Sequence, residues 1–104
     1  MHPAFRRSAT LIALLGLAGL AQAQDAQLAR NLAATCANCH GTNGLARGEM
    51  KPLAGLTAEK IIAMVNDYRS GNQPATIMHQ IAKGYTDAQI KLIAGYYAAQ
   101  PAKK

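Results

Sequence analysis

Cys36-Ala37-Asn38-Cys39-His40 places two thiols three residues apart, with an imidazole directly after the second. On one helical turn, thiols at this spacing can each form a thioether with one vinyl group on a porphyrin edge, and the following histidine then lies under the iron. In that chemistry Cys36 and Cys39 are the covalent attachment points and His40 is the proximal ligand. Its other ring N–H needs an acceptor to fix the ring's orientation. Two other chemistries use C-x-x-C. A closed zinc site needs four ligands, and beyond this stretch the exported chain offers only His79 and a few carboxylates. A dithiol oxidoreductase without haem expects the motif after a strand in a β-α-β unit, whereas the flanks here are Ala-rich and helical. Covalent haem attachment is the preferred reading.

An iron with one protein ligand needs a second. Met1 aside, the thioethers are Met50, Met64 and Met78. Met64 falls on the apolar stripe of a helix, where a flexible core filler is expected. Met50 lies in the loop soon after His40. Met78 lies 38 residues after His40, past a helix that can turn the chain around the haem and just beyond Pro74. His79 is its neighbour, but consecutive helical residues point about 100° apart, so only one of the two can face the iron. Met78 is preferred as the distal ligand by this placement, and Met/His ligation, which raises the reduction potential and leaves no open site, suits electron transfer.

The elements that must position these residues are helical. Residues 26–35 are rich in Ala and Leu, with Leu28 and Leu32 at i, i+4, and lead into the motif. Gly41, Gly44 and Gly48 punctuate a loop ending at Pro52 and Gly55, a length that suits wrapping a cofactor. Arg47 within it is read as a solvated charge. Thr57 caps a second helix whose stripe is Ile61, Met64, Val65 and Tyr68, stopped by Gly71. A short apolar segment over 75–82 follows, and then Thr86 with Gln89 forms a capping box for a last helix with Ile90, Ile93, Ala94 and Tyr97 on one face. Pro101 and the terminal lysines are expected to fray.

Residues 1–23 read as a secretory signal: Arg6 and Arg7 are basic, Leu11 to Leu20 is apolar, and Ala21-Gln22-Ala23 supplies a small-x-small cleavage site. That apolar stretch is short for a membrane span, so residues 24–104 are expected as one exported domain, placed in the periplasm. They carry nine Lys or Arg against five acidic residues, a net +4, too little and too scattered to suggest nucleic acid. They also hold no Phe and no Trp. So small a domain ordinarily needs a staple, and a covalent macrocycle would be one, leaving the apoprotein largely unfolded. Among its residues there is no Gly-rich dinucleotide fingerprint and no general-base constellation, so the chain is read as an electron-transfer protein, not an enzyme.

The whole exported stretch resembles the class I c-type cytochromes, through Cys36-Ala37-Asn38-Cys39-His40-Gly41, Pro52 to Gly55, a downstream methionine, and Ile93-Ala94-Gly95-Tyr96-Tyr97. Tyr68-Arg69-Ser70-Gly71, Pro74 to Met78 and Ile81-Ala82-Lys83-Gly84-Tyr85 are similar to the monohaem cytochrome subunit of flavocytochrome c sulfide dehydrogenase. The resemblance implies an all-α class I cytochrome c fold, with three to four helices around one haem c. It implies ligation by His40 and Met78, and a first helix crossing the last with Ala29 or Ala33 against Ile93 and Tyr96. It further implies electrons arriving from an FAD-containing flavoprotein that oxidises sulfide. A free shuttle serving other redox proteins, such as a terminal oxidase or reductase, is the alternative. In the family a proline carbonyl, one residue removed from Leu-Ala-Gly, commonly accepts the haem histidine's N–H. Here Pro52 abuts Leu53, and the acceptor is left open.

Overall fold

Ala-rich sequence carries the first helix straight through the cysteine motif. In the computed structural model, which describes residues 24–102, α1 covers 24–40 and ends only where Gly41 turns the chain at φ 85°. A side chain at Gly41 would collide with the Leu45 carbonyl, so a glycine is required there. A 3-10 turn follows at Thr42–Gly44, then α2 at Ala58–Ser70, α3 at Met78–Lys83 and α4 at Asp87–Ala98. No strand occurs among the described residues. The secretory-signal pattern of 1–23 lies outside them, as do Lys103 and Lys104.

The two helices with complete capping signals form where those signals stand. The Thr57 side chain accepts from the Lys60 N–H at 3.2 Å, and Gly71 closes α2 in the left-handed conformation. Thr86 and Gln89 exchange hydrogen bonds of 2.9 and 3.1 Å at the start of α4. The segment over 75–82 behaves differently. Ala75, Thr76 and Ile77 are exposed and non-helical, and α3 begins only at Met78 with no side-chain cap.

α1 crosses α4 where small residues meet an aromatic. Ala33, Ile93, Ala94 and Tyr97 are buried in one cluster with Ile61 of α2, and the Tyr97 hydroxyl donates to the Ala33 carbonyl at 2.5 Å. The crossing therefore uses Ala33 and Tyr97. Ala29 is only half-buried, and Tyr96 stands beside the cluster, edge-on to Tyr97 with ring centroids 5.3 Å apart. Leu28, expected on the buried face, is 46% exposed, because the core begins one turn later at Leu32 and Ala33. The tail is also better placed than expected: it runs over Gly55, with Ala102 where a side chain at Gly55 would stand, and Gly55 N–H donates to the Tyr97 carbonyl.

This side-chain core is thin. Among the described hydrophobic residues, those no more than 1% exposed are Ala33, Ala82, Ala94 and Tyr97, so alanines supply most of the deepest hydrophobic positions. Burial pushes the Tyr97 phenol well above its ordinary range, with the neighbouring Cys36, Tyr96 and Tyr85 adding to the effect.

Candidate functional site

The last turn of α1 brings Cys36, Cys39 and His40, at i, i+3 and i+4, to one face of the helix and to the wall of a cavity of about 290 Å³. The apolar stripe of α2 forms another wall. Ile61, Met64, Val65 and Tyr68 all line the cavity, and only Ile61 is fully buried. Met64 is therefore a cavity-wall residue, although a core position was expected of it. Met50 and Leu53 enter from the loop, Met78 and Ile81 from α3, and Ile93 from α4.

The loop reaches the cavity because Gly44 holds it there. Gly44, at φ 77°, is buried so closely that a Cβ would stand 2.7 Å from the Ala54 nitrogen and 2.8 Å from the Tyr97 ring. Its carbonyl accepts from the Leu53 and Ala54 N–H groups at 3.0 and 3.2 Å. The Asn43 side chain, which accepts from the Tyr96 hydroxyl at 2.7 Å, ties the same turn to α4. Docked in this way, the segment before Leu53 lies against His40, whose Nδ1–H donates to the Lys51 carbonyl at 2.7 Å. The open question of the acceptor is thus answered: Lys51 occupies the place, one residue removed from Leu-Ala-Gly, where the family has its proline. With Nδ1 as donor, Nε2 keeps the lone pair that a metal requires.

Met78 and His79 part company as helical neighbours must. Met78 lines the cavity. His79 faces a separate shallow hollow with Ser70, Pro74 and Lys83. Met50 lines the same cavity as Met78 and is 44% exposed, so three thioethers in all reach this wall.

The chemistry of these residues selects among the possible uses of the motif. Both cysteines are free thiols. Burial pushes the Cys36 thiol up, Thr35 draws it down by hydrogen bonding, and Cys39 raises it further. A redox-active dithiol needs a depressed thiol pKa, and the Cys36 thiol is shifted the other way. Among the described residues no three His, Cys, Asp or Glu side chains converge as a metal-ligand set. Haem fits. Met50, Ile77 and Ile81 are apolar, 38 to 54% exposed, and gathered at one cavity, which is the surface expected of side chains whose partner is a flat apolar macrocycle.

Several contacts were beyond sequence reasoning. Tyr85 lines the cavity, and its hydroxyl meets Thr35 Oγ1 on α1 at 2.6 Å, across 50 residues. Arg69 binds both the Tyr85 carbonyl and Asp87. Arg47, in contrast, is exposed, as a solvated charge should be.

Known proteins resemble this chain over a little under two-thirds of its length. No protein-family model matches it. It is 38% identical over 66 residues to the cytochrome subunit of sulfide dehydrogenase of Chlorobaculum tepidum, a match covering 64% of this chain and 60% of that one. Cytochrome c-554(548) of Halomonas halodenitrificans is 36% identical over 70 residues, covering 64% of this chain and 84% of that protein. Among solved structures, cytochrome c4 of Acidithiobacillus ferrooxidans superposes with a TM-score of 0.59 at 38% identity, over 62% of this chain and 37% of that one. The matched region thus spans three-fifths of the sulfide dehydrogenase subunit and little more than a third of cytochrome c4. Sharing most of the length of the Halomonas cytochrome, and the helical fold of cytochrome c4, the chain belongs to the class I c-type cytochromes, electron-transfer proteins whose cofactor is covalently bound haem c.

Proposed function

We propose that this chain is a periplasmic monohaem carrier of single electrons in which Cys36 and Cys39 hold the haem, His40 is the proximal iron ligand and Met78 the distal one. The observation that carries the reading is that a thiol pair, an oriented imidazole and a thioether share the wall of one apolar cavity. Bound haem c supplies a one-electron iron couple. The chain's residues set the terms on which that couple works. The Lys51 carbonyl fixes the imidazole tautomer and makes Nε2 the better donor. A methionine as distal ligand holds the potential high and blocks the open site that oxygen chemistry would need. In the exported and matured protein, Met78→Ala should abolish the near-infrared sulfur-to-iron charge-transfer band. Loss of that band from Met50→Ala instead would reassign the ligand.

We further propose that the electron donor is an FAD-containing sulfide dehydrogenase flavoprotein, with this chain as its cytochrome subunit. Support comes from the likeness to the Chlorobaculum subunit. A subunit role favours a lasting complex that depends weakly on salt. The leader-like residues 1–23 support export, and no helix among the described residues is long and apolar enough to cross a membrane. A free shuttle is favoured by the Halomonas relative, matched over most of its length and named as a cytochrome alone. Transient shuttling relies on small interfaces and electrostatic steering, so its rates fall as ionic strength rises. Co-purification from the periplasm separates the two. A yellow flavoprotein retained through high salt, which reduces this haem with sulfide, supports the subunit. Recovery of the cytochrome alone, with salt-sensitive electron exchange and no response to sulfide plus flavoprotein, rejects it.

A further inference from the structure

We propose that Arg69 is a positioning residue for the distal ligand: its guanidinium clasps the Tyr85 carbonyl and thereby fixes the short helix that presents Met78. The inference rests on Met78 as the distal ligand.

The segment carrying Met78 is tied to the rest of the fold very unevenly. On its N-terminal side, the Gln73 N–H reaches the Asp67 carbonyl, and then Ala75, Thr76 and Ile77 donate no hydrogen bond among the described residues and lie exposed. Ile77, at the start of α3, provides no side-chain cap. At the C-terminal side, Ala82 is buried, and α1 and α2 both bond to Tyr85. Arg69 of α2 donates from Nη2 to the Tyr85 carbonyl at 2.9 Å and from Nη1 to Asp87 Oδ1, in α4, at 2.6 Å. Thr35 of α1 meets the Tyr85 hydroxyl at 2.6 Å. α3 is only six residues long and hydrogen-bonded throughout, so where Tyr85 is held, Met78 is held.

Of the clasp's members, Arg69 has the most influence. The Asp87 side chain is 85% exposed, and water competes well for an ion pair so placed. The Arg69 side chain is 29% exposed, and its bond to the Tyr85 carbonyl is partly buried. A guanidinium can serve carbonyl and carboxylate at once from a rigid fork, whereas a lysine ammonium has no such fork. Release of the sulfur requires α3 to swing on its C-terminal attachment. The clasp therefore lowers the fraction of molecules with the iron open to another ligand, and an external ligand's apparent affinity scales with that fraction.

Imidazole binding to the ferric holoprotein at room temperature reads this fraction directly. Arg69→Met should bind imidazole about tenfold more tightly than the parent chain, the scale of one charge-assisted hydrogen bond. Its sulfur-to-iron band should fade at lower temperature, while covalent haem and far-ultraviolet dichroism stay unchanged. Arg69→Lys should fall between the two, and Asp87→Asn should lie within about twofold of the parent. An Arg69→Met protein with parental imidazole affinity overturns the proposal, even if it unfolds at a lower temperature, because that is what a merely structural ion pair would do. Should Arg69→Met fail to fold, parental affinity in Arg69→Lys overturns it equally. A band that survives Met78→Ala marks a different failure, that of the distal assignment itself, and takes this proposal with it.

Discussion

The two sides of this small molecule solve the burial problem differently. At the crossing of α1 and α4, side chains close on one another: Ala33, Ile93, Ala94 and Tyr97 are at most 6% exposed, and the one buried hydroxyl is bonded. On the side of α2 and α3 the apolar stripe Ile61, Met64, Val65 and Tyr68 faces a cavity, and Ile77 and Ile81 stand open to solvent. One side is complete as a polypeptide. The other leaves an apolar wall open, and with haem held at the proposed site its stability would rest on the macrocycle as much as on the residues.

The difference is broken most completely by removing the tether. Cys36→Ala with Cys39→Ala should abolish covalent haem and leave little cooperative unfolding, since a marginal domain has only about 5 kcal/mol or somewhat more to lose. Thermal unfolding followed by dichroism checks this, and a sharply melting apoprotein with native helicity would sink it. The crossing is broken from its own side by Ala33→Leu. That site is fully buried, and overpacking it should cost about 1–3 kcal/mol with the haem still attached and its spectrum unchanged. Smaller still are Met50→Leu and Met64→Leu on the cavity wall. Each should cost less than about 1.5 kcal/mol in chemical denaturation and leave the sulfur-to-iron band intact, because volume is kept and neither sulfur is the proposed ligand.

Legibility in the sequence follows the same division. α2 and α4 announce themselves through Thr57 with Gly71 and Thr86 with Gln89, since capping is chemistry between near neighbours. The cysteine motif is equally local. What escaped is contact between a side chain and a group distant in sequence. His40 meets Lys51 O across 11 residues, Tyr85 meets Thr35 across 50, and Tyr97 meets Ala33 across 64, and no periodicity encodes any of them. The choice of Tyr97 over Tyr96 marks the boundary. Helical periodicity puts Tyr97 on the buried stripe with Ile90, Ile93 and Ala94, whereas the family resemblance points to Tyr96; which backbone group the Tyr97 hydroxyl meets is set only by the packed partner helix. The start of α3 is not marked at all: the sequence shows 75–82 only as a short apolar segment, and with no cap the helix forms from Met78.

The finest test of the comparison uses Tyr97, which belongs to the completed side. Tyr97→Phe keeps the ring and loses the bond to the Ala33 carbonyl, so the holoprotein should lose about 1 kcal/mol at neutral pH. The pH dependence then separates the hydroxyl from the ring. Burial, the first cause, holds the folded phenol's pKa above the ordinary tyrosine value of about 10, and thioether formation at Cys36 removes only a lesser contributor. Below pH ~10 both states keep the phenolic proton, and the stability it confers is fully present. As pH rises beyond that, the unfolded chain gives up the proton while the folded chain retains it, so stability drains away until the folded pKa is passed. The phenylalanine variant has no such proton to lose. Melting temperatures of the two holoproteins at pH 7 and near pH ~11 should therefore converge from a parental lead at the lower pH, with changes elsewhere in the molecule common to both. A lead that stays constant across that range would mean that the Tyr97 hydroxyl is reached by water and that the α1 and α4 crossing is not the sealed side of the molecule.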